Sequence, residues 1–196
     1  MKSVYDFVVK PKGERYNNKK KVGDSELILN TEIYNHQYVN REAVVISTPM
    51  AMQTDIKPGD TVITHHNVFR RWHNVKGIEK NSRSFFNEST YFINYNQIFL
   101  YKTKDKWIAP KGYCFIKPLK AIDEFNTEAE RPLQGVVKYS DGMVQVGDII
   151  GYKPKTQCEF IVDGERLYRV LSNLITMKYE YQGDEEEYNP SWSKSS

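Results

Sequence analysis

Short runs of apolar and aromatic residues recur along this chain and predict β-strands. In residues 5–10, Tyr5, Phe7 and Val9 fall on one side of a period of two, which is typical of a half-buried strand. Further runs rich in β-branched and aromatic residues indicate the other strands: residues 33–39, 41–47, 61–64, 84–86, 91–93, 94–101, 112–117, 133–139 and 166–177. The pattern therefore predicts an all-β protein.

Three of these segments occur twice, in the same order. Residues 56–63, Ile-Lys-Pro-Gly-Asp-Thr-Val-Ile, return as residues 144–150, Val-Gln-Val-Gly-Asp-Ile-Ile. Each copy follows a β-rich run, and each of these runs follows an opening strand that ends in Lys-Pro, at Pro11 and at Pro118. Matching segments in a fixed order indicate two copies of one small β module.

The repeat divides the chain of 196 residues into two modules of ordinary domain size. We expect the first module at residues 1–104 and the second at residues 107–181. The last segment, residues 182–196, is polar and acidic and is predicted to be a disordered tail.

The two copies differ in the interval between the opening strand and the Gly-Asp turn. Gly59 follows Lys10 after 49 residues, whereas Gly147 follows Lys117 after 30. The 19 extra residues of the first copy fall in a region, about residues 12–30, that begins polar and ends in a short apolar run. A long polar stretch is typical of a mobile loop, and a loop that only one copy retains is a candidate for function.

Composition narrows the possible functions. The hydrophobic share is 39%, the aromatic share is 13% and the net charge is +3, so the overall charge does not call for nucleic acid or an anionic membrane as a partner. The two cysteines have no metal-like spacing, and no segment approaches the roughly 18 apolar residues of a membrane span. Because the N-terminus also lacks a signal-peptide core, we expect a soluble protein of the cytoplasm.

Taken in order, the repeated segments resemble the chaperonin-10 (GroES) co-chaperonin family, twice over. The family pattern is an opening strand, a mobile loop with an apolar tripeptide, a Gly-x-Val strand, a Val-x-x-Gly-Asp turn and a closing strand. Leu27, Ile28 and Leu29 match the tripeptide, residues 135–137 match the Gly-x-Val strand, and residues 146–150 match the turn closely.

The resemblance implies a co-chaperonin built from two tandem small GroES-like β-barrels. Such a protein caps a GroEL-like chaperonin ring through its mobile loop and assists ATP-dependent protein folding. The implied chaperonin-binding residues are Leu27, Ile28 and Leu29, and the implied partners are the ring and further copies of the chain in a homo-oligomer. No catalytic residue, cofactor, metal, nucleic acid or membrane is implied. The tandem layout is similar to chloroplast co-chaperonins, and the divergence is more like that of viral ones, which would act in the host cytoplasm.

Three features leave alternatives open. Residues 42–45 read Glu-Ala-Val-Val where the family has Gly-x-Val, and the second copy carries no apolar tripeptide in a mobile loop. Leu27, Ile28 and Leu29 also fit the start of an ordinary core strand that continues to Ile33. The alternative function is therefore that of a GroES-fold structural or interaction protein, for instance a viral accessory protein, without chaperonin binding.

Two other groups of residues have both a functional and a structural interpretation. His65, His66 and His73 suggest a metal site, but no carboxylate or cysteine stands at a matching spacing. Residues 69–72, Phe-Arg-Arg-Trp, mix charge with stacking surface as a nucleic-acid site does, although a partly buried aromatic hairpin gives the same pattern. No phosphate-binding loop or nucleophile motif accompanies them, so an enzyme is not expected.

Overall fold

The chain forms two compact units, unit 1 (Met1–Lys106) and unit 2 (Trp107–Ser196). Regular structure in the described residues is β-strand apart from short 3-10 turns, which confirms the predicted all-β class. The computed structural model describes residues 3–16, 19–23, 25–28, 38–122 and 129–190, and only the backbone of residues 19–22 and 26–28.

Unit 1 is built on one large sheet with two separate hairpins. Its strands are β1 (Phe7–Pro11), β2 (Lys19–Val22), β3 (Ser25–Ile28), β4 (Glu42–Ser47), β5 (Thr61–Thr64), β6 (Arg71–His73), β7 (Glu79–Asn81), β8 (Phe85–Asn87), β9 (Thr90–Ile93) and β10 (Ile98–Thr103). The large sheet has the order β10-β5-β4-β1-β9-β8, and the short strand β11 (Lys106–Ile108) falls at the boundary of the two units in the sequence. The pairs β2-β3 and β6-β7 are two-stranded sheets of their own.

In its described residues, unit 2 repeats the large sheet without the two hairpins. Its strands are β12 (Tyr113–Lys120), β13 (Glu130–Ser140), β14 (Ile149–Tyr152), β15 (Cys158–Val162), β16 (Glu165–Leu171) and β17 (Ile175–Tyr179). Read from β17, the sheet order is β17-β14-β13-β12-β16-β15, which is the order of unit 1 strand for strand.

The strand registers of the two sheets also correspond. Val9 on β1 pairs with Val45 on β4, as Ile116 on β12 pairs with Val137 on β13, and a register shift precedes each pair. All four side chains are at most 1% exposed, so the same positions build the core of each unit. The structure thus contains a repeated six-stranded module in which β1 corresponds to β12.

The repeated Gly-Asp sequence forms the turn between the second and third strands of each module. In unit 1, Gly59 has φ +96°, a conformation that favours glycine, and its N–H donates to the Val45 carbonyl at 2.8 Å. The Asp60 carboxylate accepts a 2.8 Å hydrogen bond from the Lys57 N–H and closes the turn. Local backbone requirements therefore explain why Gly and Asp stand here.

Unit 2 makes the same turn with the same bonds. Gly147 has φ +93° and donates to the Val137 carbonyl at 2.9 Å, and the Asp148 carboxylate accepts from the Gln145 N–H at 3.0 Å. A hydrogen bond from Lys178, together with that from Gln145, lowers the pKa of Asp148 below its ordinary value.

The closed barrels implied by the resemblance are wrong, because both sheets are open. Closure requires the first and last strands of a sheet to pair with each other. In unit 1, the described edge strand β8 has only three residues and pairs with β9 alone. In unit 2, β15 and β17 lie at opposite ends of the strand order.

Residues 182–190, here named the C-terminal segment, lie along β12 although their composition predicts disorder. Basic side chains next to β12 explain the difference, because they neutralise the acidic ones. Asp184 forms an ion pair with Arg131 at 3.2 Å, and Glu186 forms one with Lys120 at 3.0 Å. Part of the predicted acidic tail is therefore an ordered element of unit 2.

Several predicted features fall outside the described residues. These are Leu29, residues 33–37 of a predicted strand, and residues 191–196 of the predicted tail.

Candidate functional site

The region predicted as a mobile loop contains the β2-β3 hairpin. Val22 pairs with Ser25, and Gly23 has φ +62°, which suits the first position of a two-residue hairpin turn. Leu27 pairs with Lys20, and Ile28 pairs with Lys19. Leu27 and Ile28, two of the three apolar residues of the predicted contact site, thus lie on β3, a few residues after a polar turn.

The structure brings Leu27 and Ile28 together on one strand, whereas Leu29 is outside the described residues. Among the described strands, β3 pairs only with β2 and not with the large sheet. Whether these residues contact a chaperonin or begin a core strand stays a prediction.

An open groove of about 430 Å³ lies in unit 1 at the end of β1. Its lining combines two arginines with two carboxylates and backbone at the β1 terminus, and comprises Pro11, Gly13, Glu14, Arg15, Tyr16, Arg71 and Glu88. Sequence analysis did not find this site, because its residues are dispersed from position 11 to position 88.

Arg15 forms the floor of the groove. Its guanidinium donates through Nε and Nη2 to the Phe69 carbonyl at 3.3 and 3.1 Å, and through Nη2 to Asn81 Oδ1 at 2.8 Å. Nη1 lies 3.5 Å from Glu88 Oε2 and makes no hydrogen bond, although it is buried. A buried cation with an unused donor favours a further acceptor at this position.

Aromatic rings fix the orientation of Arg15. Its guanidinium carbon lies 5.2 Å from the Phe85 ring centre and 5.6 Å from that of Tyr91. Burial raises the pKa of Tyr91 to about 12 despite the opposing charge of Arg15, so the phenol is neutral at physiological pH. The Arg15 guanidinium is therefore held against two neutral aromatic rings.

Arg71 forms one wall of the groove. Its backbone N–H donates to the Tyr16 hydroxyl at 2.8 Å, and its guanidinium lies 5.1 Å from the Tyr16 ring centre. Its Nη1 lies 3.4 Å from Glu79 Oε1. Phe69 is fully buried and offers no stacking surface. Phe69 is therefore a core residue, and whether residues 70–72 contact nucleic acid stays a prediction.

The predicted histidine group does not converge on a metal site. The rings of His65 and His66 lie 4.2 Å apart, and His73 lies on β6. No cluster of three or more His, Cys, Asp or Glu side chains with metal-binding geometry occurs in the part of the chain that the structure describes.

In unit 2, the C-terminal segment occupies the end of β12, the strand that corresponds to β1. The Tyr188 N–H donates to the Pro118 carbonyl at 2.8 Å, and the Lys120 N–H donates to the Glu186 carbonyl at 2.7 Å. The segment thus forms antiparallel hydrogen bonds with the end of β12 beyond Ile116, the last residue that pairs with β16.

Glu187, between these two bonds, carries the main charge contact of the C-terminal segment. Its carboxylate lies 2.7 Å from Lys138 Nζ and 3.4 Å from Lys117 Nζ, and Lys117 also meets Glu165 at 2.8 Å. Burial alone would raise the pKa of Glu187, but the two lysines outweigh it and lower the pKa below its ordinary value.

We expect acid to release the C-terminal segment from β12. Because the pKa of Glu187 is lower in the folded protein, its contribution to stability is complete above the ordinary value of 4.5 and is lost as the pH falls through the folded value. NMR should show the Glu187 carboxyl titrating below 4.5, with loss of Tyr188 amide protection over the same range. A Glu187→Gln variant should lose this pH dependence, and an unchanged profile would contradict the expectation.

Within the described residues, no helix has the length and apolar character needed to cross a membrane. Comparison of the chain with protein-family models and with curated proteins gives no match.

Proposed function

We propose that the protein is a co-chaperonin that caps a chaperonin ring through its β2-β3 hairpin and assists ATP-dependent folding. The observation that carries the proposal is an asymmetry between two modules whose large sheets match: in the described residues two hairpins are added to the first module, and one of them, β2-β3, carries apolar residues. Both share strand order and turn, but the hairpin with Leu27 and Ile28 interrupts only the first of them in the described residues. An element added to a repeated scaffold is a candidate for the function that the scaffold alone does not perform.

The chemistry of the hairpin supports this proposal. β2 begins with three lysines, and β3 carries an apolar run that continues in sequence to Leu29. Each large apolar side chain offers about 1.5–3 kcal/mol when a partner covers it. Single contacts of this size are weak, but several copies of the hairpin acting on one ring multiply the affinity. The proposal therefore includes a homo-oligomer.

Complex formation with a GroEL-like ring tests the function. We expect the protein to co-elute with the ring only when ATP is present, and trypsin cleavage at residues 19–21 to be suppressed in the complex. In solution its mass should be several times the 23.0 kDa of one chain. No ATP-dependent complex and no protection, with a monomeric mass, would refute the proposal.

The alternative is an interaction protein with this fold that does not bind a chaperonin. A specific observation supports it, because unit 2 already binds an extended peptide, its own C-terminal segment, at the end of β12. Failure of the ring experiment, together with peptide binding at the corresponding edge of unit 1, would favour this alternative.

A further inference from the structure

The backbone at the end of β1 leaves two hydrogen-bonding groups directed into the groove of unit 1. The Lys12 backbone N–H donates to the Glu42 carbonyl on β4 at 2.9 Å. The Lys12 carbonyl accepts a hydrogen bond from Asn40 Nδ2, also at 2.9 Å. All described peptide bonds are trans, so the carbonyl and N–H of one peptide group point in opposite directions. The Pro11 carbonyl and the Gly13 N–H therefore point away from β4, to the side where the groove lies.

The corresponding groups of unit 2 are those that bind the C-terminal segment. Lys10 and Pro11 match Lys117 and Pro118 in register, because Lys10 pairs with Val44 as Lys117 pairs with Val136. Gly13 lies two residues after Pro11, and Lys120 lies two residues after Pro118, so Gly13 corresponds to Lys120. In unit 2 the Pro118 carbonyl accepts from Tyr188, and the Lys120 N–H donates to Glu186.

Two basic groups at the end of β1 suit an acidic peptide. Lys117, which contacts Glu187 in unit 2, corresponds to the exposed Lys10, and Arg15 Nη1 adds a buried donor without a hydrogen bond. Glu88, 3.5 Å from Arg15 Nη1, is a repulsive charge for such a peptide, but unit 2 shows that a carboxylate is tolerated here, because Glu165 shares Lys117 with Glu187.

We propose that the groove of unit 1 binds an extended acidic peptide segment of a partner protein, which adds a short antiparallel strand to the end of β1 beyond Val9, the last residue that pairs with β9. The peptide donates one N–H to the Pro11 carbonyl, accepts one bond from the Gly13 N–H, and places an acidic side chain between them near Lys10. Addition of a strand to a sheet edge is a general mode of peptide recognition. This site is separate from the β2-β3 hairpin and does not depend on chaperonin binding.

A labelled peptide with the sequence of residues 182–190 is a suitable probe for the full-length protein. The intact protein keeps its own segment on unit 2, so one peptide should bind per chain. N-methylation of the peptide at the position of Tyr188 removes the N–H that would reach Pro11 and should weaken binding about tenfold. N-methylation at the position of Glu187 removes an N–H that points away and should leave the affinity within about twofold. Equal effects of the two methyl groups would overturn the proposal.

Protein variants locate the site. Lys10→Glu should weaken binding about fivefold, whereas Glu88→Gln should strengthen it about twofold by removing a repulsive charge. Lys57→Glu, a charge reversal at an exposed position outside the groove, serves as the matched control and should have no effect. The proposal fails if the peptide does not bind, if Lys138→Glu in unit 2 weakens binding while Lys10→Glu does not, or if heparin binds with the same dependence on Lys10.

Discussion

Replacing Gly135 by alanine is expected to lower the free energy of unfolding of unit 2 by about 2–3 kcal/mol. A Cβ atom at this position would lie 2.7 Å from the Lys117 carbonyl oxygen and 2.9 Å from Ile116 Cδ1. The Ile116 side chain can rotate, but the carbonyl belongs to β12 and moves only with that strand. Thermal unfolding should show a Tm lower by roughly 10–20 °C for a unit of this size.

The control for this prediction lies one residue earlier in the same strand. Gln134→Ala removes a half-buried side chain without adding an atom near β12, so the Tm should change by only a few degrees. If Gly135→Ala unfolds at the same temperature as the unmodified protein, the two strands can separate at little cost and the argument from the close approach is wrong.

Unit 1 shows that this glycine is a requirement of one module and not of the fold. Ala43 pairs with Pro11 as Gly135 pairs with Pro118, and Ala43 is fully buried. The backbone spacing in unit 1 therefore accepts a methyl group at the same register position. The absence of a Gly-x-Val sequence from the first copy does not disturb the strand order that the two modules share.

The repeat could be predicted from sequence because its structural causes are local. Gly59 and Gly147 have positive φ, and Asp60 and Asp148 accept hydrogen bonds from residues only three positions earlier. Such requirements leave the same residues at the same spacing in both copies. Barrel closure could not be predicted in this way, because it depends on whether two edge strands distant in sequence meet.

The groove and the C-terminal segment were missed for a related reason. Arg15 and Glu88 are brought together by the fold across most of unit 1, and neither belongs to a motif. The acidic segment has the composition of a disordered tail, yet Glu187 meets Lys117 and Lys138 on the sheet. The only signal in the sequence was that acidic residues cluster in one part of the second module and basic residues in another. This signal indicates a contact only once β12 and β13 are known to pair.

The substitution Ile28→Asp is expected to abolish ATP-dependent binding of a chaperonin ring and to leave the Tm within a few degrees of the unmodified protein. It replaces an apolar side chain worth about 1.5–3 kcal/mol on burial with a carboxylate that resists burial. The loss is repeated at each subunit of the proposed oligomer, so the ring complex should disappear and not merely weaken. The fold should persist, because β3 pairs only with β2 among the described strands.

Ile122→Asp is the matched control for Ile28→Asp, because Ile122 follows the opening strand of unit 2 and is 68% exposed. It introduces the same charge into the module without the hairpin, and ring binding should be retained. Size-exclusion chromatography with ATP and a thermal melt of each variant measure both outcomes. A large fall in the Tm of Ile28→Asp would show that Ile28 belongs to a core strand. If this variant still binds the ring, the hairpin is not the contact and the proposed mechanism is wrong.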